Sequence, residues 1–347
     1  SSRPGSNFAG HRPASAAKPL PQSLLLSRMA AAAVVDPVSV PTSLGAREVL
    51  DLAGPLLDLQ KVENPQVSIH QCSTRYGSQA LRSLFEKLVE RGATSSFEEI
   101  NLADNTIGDE GAAYLQRGLS GNSSLKRLYL PRAGVGAEGF KALGQLLGDS
   151  PALESLVLSS NICDAAGVEG EFCSGLEKNK SLKSLVLAAC RIGDKGVEKL
   201  CAGPLRNHPA LEHVCLTYNR LEAATAKSVN QVLAVNKTLR YLDLCGNSLG
   251  PEGAELLAEG LKANKGHLTQ LGLAQNGIRL KGARALCKHF LSADGSSLVY
   301  LDLRHNSVTY RGMVELRDGI LGKPMDGPEG WMLLFDGNKR QLLLNAL

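Results

Sequence analysis

Asp243, Asp302 and His305 are side chains that can pass a proton or steady a developing charge, and Ser159 and Cys215 are of the types that attack carbonyl carbon. Drawn together they would make an acid–base cluster with a nucleophile. The spacing gives that reading little support, because the chain has neither the paired histidines of an H-E-x-x-H helix nor a G-x-x-x-x-G-K-[ST] phosphate loop. The same stretches are richer in the residue types of recognition. Arg127, Tyr129, Arg132, His213, Tyr218, Tyr241, Asp243, Tyr300, Asp302, Arg304 and His305 form two flanks, and Val157, Val186 and Cys215 lie between them. Tyr and Arg with scattered charge are enriched where proteins bind proteins. The expectation is a non-enzymatic protein with no cofactor and no metal.

What must position these residues is a repeat. Leu239 to Leu249 reads L-x-x-L-x-L-x-x-N-x-L, and the unit restarts at Phe97, Leu125, Leu153, Leu182, Leu211, Leu239, Leu268 and Leu298, in steps of 28 to 30 residues. That period holds one strand and one helix per turn of a solenoid. The ninth position is Asn105, Ala133, Asn161, Cys190, Asn219, Asn247, Asn276 and Asn306. An Asn there can bond backbone groups where the chain leaves its strand, so the Ala133 repeat should lack that bond. After Leu249, Pro251 suits a first helical turn, and Ala254, Leu257, Ala258 and Leu261 mark one buried helix face. Glycine recurs inside the first helical turn, at Gly111, Gly139, Gly167, Gly196, Gly253 and Gly282, which predicts close contact with the strand layer.

These strand and helix-opening motifs, from about Phe97 to Leu321, resemble the ribonuclease-inhibitor-like class of leucine-rich repeat proteins. The resemblance implies an α/β solenoid (horseshoe) with a parallel β-sheet on the concave side and α-helices on the convex side. It implies binding rather than catalysis. Proteins similar to this one include activators of the Ran GTPase, so regulation of a small GTPase is the alternative, with Arg75 in the loop after the first strand as its candidate arginine. A sensor or inhibitor with one tight protein partner is a further alternative.

Four segments follow. Residues 1–40 have no acidic side chain before Asp36; they fit a transit peptide, a disordered tail, or sequence preceding a start at Met29. Residues 41–96 read as a divergent N-terminal capping repeat, 97–321 as eight regular repeats, and 322–347 as a C-terminal cap in which Leu333, Phe335 and Asn338 follow the strand pattern and Trp331 plugs the core. The formal charge is +4, of which +3 lies in the first fifty residues, leaving no basic face for nucleic acid. No apolar run approaches the roughly 18 residues needed for a membrane span. The eight cysteines show no zinc spacing and are expected as reduced, buried thiols, although Cys215 and Cys245 fall at positions that turn toward the concave side and are candidates for modification.

Alternation along a strand sends the third, fifth, seventh and eighth positions of each unit to the concave face. The fifth row reads Asn101, Tyr129, Val157, Val186, Cys215, Asp243, Gly272 and Asp302, apolar and unbulky in its middle, with Ser155, Ser159, Ser160, Ser184, Ala188 and Ala189 as a smooth floor. The partner expected on this face is a protein, within a multi-subunit complex. The expected location is cytoplasmic or cytoskeletal and ciliary, or a chloroplast or mitochondrion if residues 1–40 are a transit peptide.

Overall fold

A computed structural model describes residues 97–264, 267–291 and 297–321, with shorter pieces at 68–70, 85–86, 88–90, 92–94, 331–335 and 340–344. All lie within the unit Pro41–Leu347. Residues 1–40, Arg75, Cys72 and the loop 322–330 fall outside the described residues.

A three-residue strand forms around the middle apolar residue of each triplet, and the outer two, just before and just after it, also turn inward. The strands are β1 (Ser68–His70), β2 (Glu99–Asn101), β3 (Arg127–Tyr129), β4 (Ser155–Val157), β5 (Ser184–Val186), β6 (His213–Cys215), β7 (Tyr241–Asp243), β8 (Gln270–Gly272) and β9 (Tyr300–Asp302). They pair in parallel in sequence order. Identical repeat positions stand side by side, so that Tyr241, Gln270 and Tyr300 share one row and Asp243, Gly272 and Asp302 the next. At the C-terminal end β10 (Trp331–Phe335) and β11 (Arg340–Leu344) form an antiparallel pair, and it is β11 that lies parallel beside β9. The repeat pattern noted at Leu333–Asn338 is thus displaced: the sheet is continued by Arg340–Leu344, whose Leu342 is fully buried.

Between strands run α1 (Gly108–Leu119), α2 (Ala137–Asp149), α3 (Asp164–Val168), α4 (Glu171–Lys178), α5 (Gly193–Ala202), α6 (Pro204–Asn207), α7 (Ala223–Leu233), α8 (Gly250–Ala263), α9 (Arg279–Leu291) and α10 (Tyr310–Leu321). The third repeat's helix breaks at Gly170, whose φ is 74°, and the fourth's at Gly203-Pro204. Strands sit about 4.8 Å apart and packed helices about 8–10 Å apart, so stacking the two layers bends the array with the sheet inside. Between the layers the leucines at 125, 128, 130, 153, 156, 158, 182, 185 and 187 are at most 2% exposed. Each such side chain contributes roughly 1.5–3 kcal/mol.

The helix-opening glycines serve a different contact from the one expected. A Cβ on Gly196 would lie 2.4 Å from Ile192 Cγ2 and 3.3 Å from Ala165 Cα, so the glycine admits the preceding helix and its own turn. Closer still, a Cβ on Gly175 would lie 1.7 Å from the Gly144 carbonyl oxygen, which brings α2 and α4 into backbone contact. Helix starts are also capped from the repeat before. Asp109 Oδ1 accepts the N–H groups of Gly136 (2.6 Å) and Gly139 (3.0 Å), and Asp194 Oδ1 accepts Glu222 N–H (2.9 Å) and the Thr225 hydroxyl.

Two polar ladders thread the core. Asn247 Oδ1 accepts Asn219 N–H (2.8 Å) and Leu221 N–H (3.1 Å) from the preceding repeat, while its Nδ2 donates to the Leu216 (3.2 Å) and Leu244 (2.7 Å) carbonyls. Asn161, Asn219 and Asn306 repeat the pattern. Cys190 keeps one half of it, its thiol donating to the Leu158 carbonyl at 3.1 Å. Ala133 has no such group, and its carbonyl takes the Ile107 N–H (3.0 Å) instead, beside the Gly108 N–H (3.1 Å) that this carbonyl position also accepts at Asn219 and Asn276. The second ladder, before each strand, was not anticipated: Asn122, Ser150, Asn179, His208, Asn236 and Asn264 are all buried. Asn179 and Asn236 close the turn with Oδ1 on Leu182 and Leu239 N–H (both 2.7 Å) and reach back with Nδ2 to the Leu147 (2.8 Å) and Leu205 (2.7 Å) carbonyls.

Candidate binding face

The sheet face is assembled from the third and fifth positions, with the turn residues at its rim. The eighth position adopts left-handed backbone in every regular repeat, from Asp104 (φ 62°) through Arg132, Ser160, Ala189, Tyr218, Gly246 and Gln275 to His305 (57°). Seven of these eight are not glycine, which fixes the direction in which Arg132, Tyr218 and His305 leave the chain.

Its charged groups are largely paired along the sheet. Arg127 Nε donates to Glu99 at 2.5 Å, and Arg132 makes a forked pair with Asp104, Nη2 to Oδ2 at 2.6 Å. Arg304 grips Asp302 with Nε at 2.9 Å and Nη2 at 2.6 Å. Beside these rows the second positions alternate in sign as Glu98, Lys126, Glu154, Lys183, Glu212 and Arg240, with Lys126–Glu98 at 3.3 Å and Lys183–Glu154 at 3.2 Å. Such exposed pairs fix register and contribute ~0–1 kcal/mol each.

Val157 and Val186 remain half-buried in the fifth row, between Ser155 and Ser184 of the third. Toward the C-terminal end the His213 and Tyr241 rings are 6.2 Å apart, and the Tyr218 hydroxyl crosses two repeats to Gln275 Oε1 at 2.7 Å. The Tyr218 ring lies over Gly246, where a Cβ would stand 2.3 Å from it. The Tyr241 hydroxyl donates to Asp243 Oδ2 at 2.9 Å. Burial and then the Asp243 charge raise the Tyr241 phenol well above its usual range, and burial followed by Asp302 pushes Tyr300 up to about 12. Tyr129 is half-buried beside Arg127, and Arg304 and His305 are exposed at the rim.

Several expected surface groups are covered. Cys215, Asp243 and Asp302 are 5%, 7% and 4% exposed, and Ser159, Ala188, Thr217 and Ala274 of the seventh row are also buried. The two thiols considered for modification are held protonated. Burial, then the Asp243 charge, pushes Cys215 up to about 12 and raises Cys245 well above the usual thiol range. Cys163, Cys190, Cys201 and Cys287 are buried as expected, whereas Cys173 and Cys245 are partly exposed.

Two glycine motifs, whose absence was the expectation, are present in strand-to-helix turns. Gly134 to Gly139 spells G-x-G-x-x-G between β3 and α2, yet the N–H groups of Gly136 and Gly139, which would face a phosphate, are taken by Asp109. Gly246 to Gly250 spells G-x-S-x-G between β7 and α8. Its residues are the left-handed turn, the ladder Asn247, the buried Leu249 and the helix start, and among the described residues no hydrogen bond reaches the Ser248 hydroxyl. Among the described residues no group of three or more His, Cys, Asp or Glu could hold a metal ion, and no helix is long and apolar enough to cross a membrane.

The leucine-rich repeat model matches residues 95–115, 178–201, 235–258, 266–287 and 296–316. The ribonuclease inhibitor of Sus scrofa is 28% identical, over 78% of this chain and 71% of that protein. That of Mus musculus is 25% identical, over 77% and 65%. The NACHT, LRR and PYD domains-containing protein 12 of Homo sapiens is 28% identical over 82% of this chain, which spans only 29% of it.

Proposed function

We propose, from the premise that this chain is a leucine-rich repeat protein of the ribonuclease-inhibitor-like class, that it is a non-catalytic subunit holding a protein partner against its sheet face. One observation carries the reading: an in-register face of half-buried Val157 and Val186 is flanked by tyrosines and by arginines already locked onto acids. A partner meets side chains whose positions are fixed beforehand, so little freedom is lost on binding. Membership of a larger complex is part of this proposal, as is the likeness to proteins whose name states that they inhibit ribonuclease.

The experiment is affinity purification from native extract with a Val157→Arg/Val186→Arg variant beside a Lys227→Glu variant on α7. The sheet-face pair should lose the stoichiometric partner and the helix variant should keep it. Retention by the first and loss by the second would move the site to the helix layer.

A further inference from the structure

Gly272 is the one fifth-row position without a side chain, and the space a side chain would take is filled by its neighbours from β7 and just after it. Asp243 leans across the gap: a Cβ on Gly272 would lie 2.5 Å from Asp243 Oδ1 and 3.0 Å from Cys245 Sγ. The Asp243 carboxylate is 7% exposed, and the donors that reach it are neutral: the Tyr241 hydroxyl at 2.9 Å, the Cys245 N–H at 3.0 Å and the Cys245 thiol. Its counterpart across the glycine, Asp302, has both oxygens on the Arg304 guanidinium. Among the described residues no cation pairs with Asp243. A buried carboxylate without a counter-ion is costly, and an incoming positive group would recover that cost.

A second, independent observation lies two residues up the same strand. Gln270 stands in register between Tyr241 and Tyr300, and its Oε1 is covered yet meets no donor among the described residues. An acceptor without a donor and a carboxylate without a cation thus lie together along β8. Both call for a donor bearing positive charge, and the tyrosine rings on either side suit a cation.

We infer that the partner inserts a lysine or arginine side chain over Gly272, against Asp243 and Gln270. The inference rests on the sheet-face function proposed above and specifies what that face selects. Arg304 does not meet the need, since its fork is committed to Asp302 on its own strand.

The test uses the full chain and a random dodecapeptide library displayed on phage, selected at physiological salt. Recovered peptides should share a Lys or Arg and should bind Asp243→Asn about ten- to a hundredfold more weakly, with Glu259→Gln, exposed on α8, unchanged. Asparagine keeps an acceptor for the Cys245 N–H and can donate its Nδ2 to the Tyr241 hydroxyl oxygen, and a matching thermal melt shows that the variant folds; Gln270→Leu is the second variant and should also weaken binding. A recovered consensus without a cation, or equal affinity for wild type and both variants, overturns the inference. If Val157→Arg/Val186→Arg abolishes binding while Asp243→Asn and Gln270→Leu do not, the sheet-face reading stands and the cation fails; if none of them does, both fail.

Discussion

Replacing His208 by asparagine should remove a specific part of the protein's acid sensitivity without harming it at neutral pH. His208 occupies an asparagine position of the second ladder, and its Nδ1 accepts the Ala210 (3.2 Å) and Leu211 (3.0 Å) N–H groups. Nε2 faces the Leu176 carbonyl, where the ladder asparagines place Nδ2, without closing a regular bond. The ring is 3% exposed. Burial, then the Lys180 charge, lowers its pKa from 6.5 to about 4, against the Leu176 carbonyl. Protonation would place an N–H against two N–H donors. The folded ring therefore stays neutral where the unfolded one is charged: its contribution is complete above pH 6.5 and is lost as pH falls toward 4. At about 1.4 kcal/mol per tenfold, the loss is about 2 kcal/mol by pH 5 and about 3 kcal/mol when complete.

Urea unfolding of wild type and His208→Asn at pH 7.5, 6, 5 and 4.5 reads this directly, because the other six histidines are common to both. Asparagine restores the paired acceptor and donor seen at Asn179 and Asn236, so the variant should match or exceed wild type at pH 7.5 and gain on it by about 2 kcal/mol at pH 5. Parallel pH profiles would refute the assignment of a neutral acceptor role to His208.

Asn247→Ala strips both halves of a rung of the first ladder and leaves Asn219 N–H and Leu221 N–H without their acceptor, so it should cost roughly 2–4 kcal/mol in the same unfolding assay. In a Cys72→Ser background, native labelling with a thiol reagent at pH 8 should reach Cys173 before Cys163, Cys190, Cys201, Cys215 and Cys287, which should stay unmodified until denaturant is added. Prompt labelling of Cys215 would contradict its burial.

The repeat was legible because its leucines have no alternative use: three apolar positions at fixed spacing can all be buried only in a short strand stacked on its own copies. The first ladder was legible for the same reason, down to the missing group at Ala133. The second ladder was not, since Asn and His share a task there that only the N–H groups around them reveal, while Ser150 at the same position bonds the Leu146 carbonyl of its own helix. On the sheet face, spacing told which side a residue faces but not how much of it its neighbours cover. Cys215, Asp243 and Cys245 face outward by alternation, yet the larger Tyr241 and its bond to Asp243 close over that region. Nor does spacing pair Tyr218 with Gln275, 57 residues away, or reveal that Asp109 occupies the N-terminus of the next helix. The breaks at Gly170 and Gly203-Pro204 carried a readable signal that the regularity of the repeat hid.

The claim that the sheet face holds the partner is tested most directly by hydroxyl-radical footprinting of the chain, free and in the complex recovered from native extract. Oxidation of Tyr129, Tyr218, Tyr241, Tyr300 and His213 should fall on binding, while Tyr310, 65% exposed at the start of α10, should react equally in both. Protection confined to the helix layer, with the tyrosines of the sheet unchanged, would contradict the account.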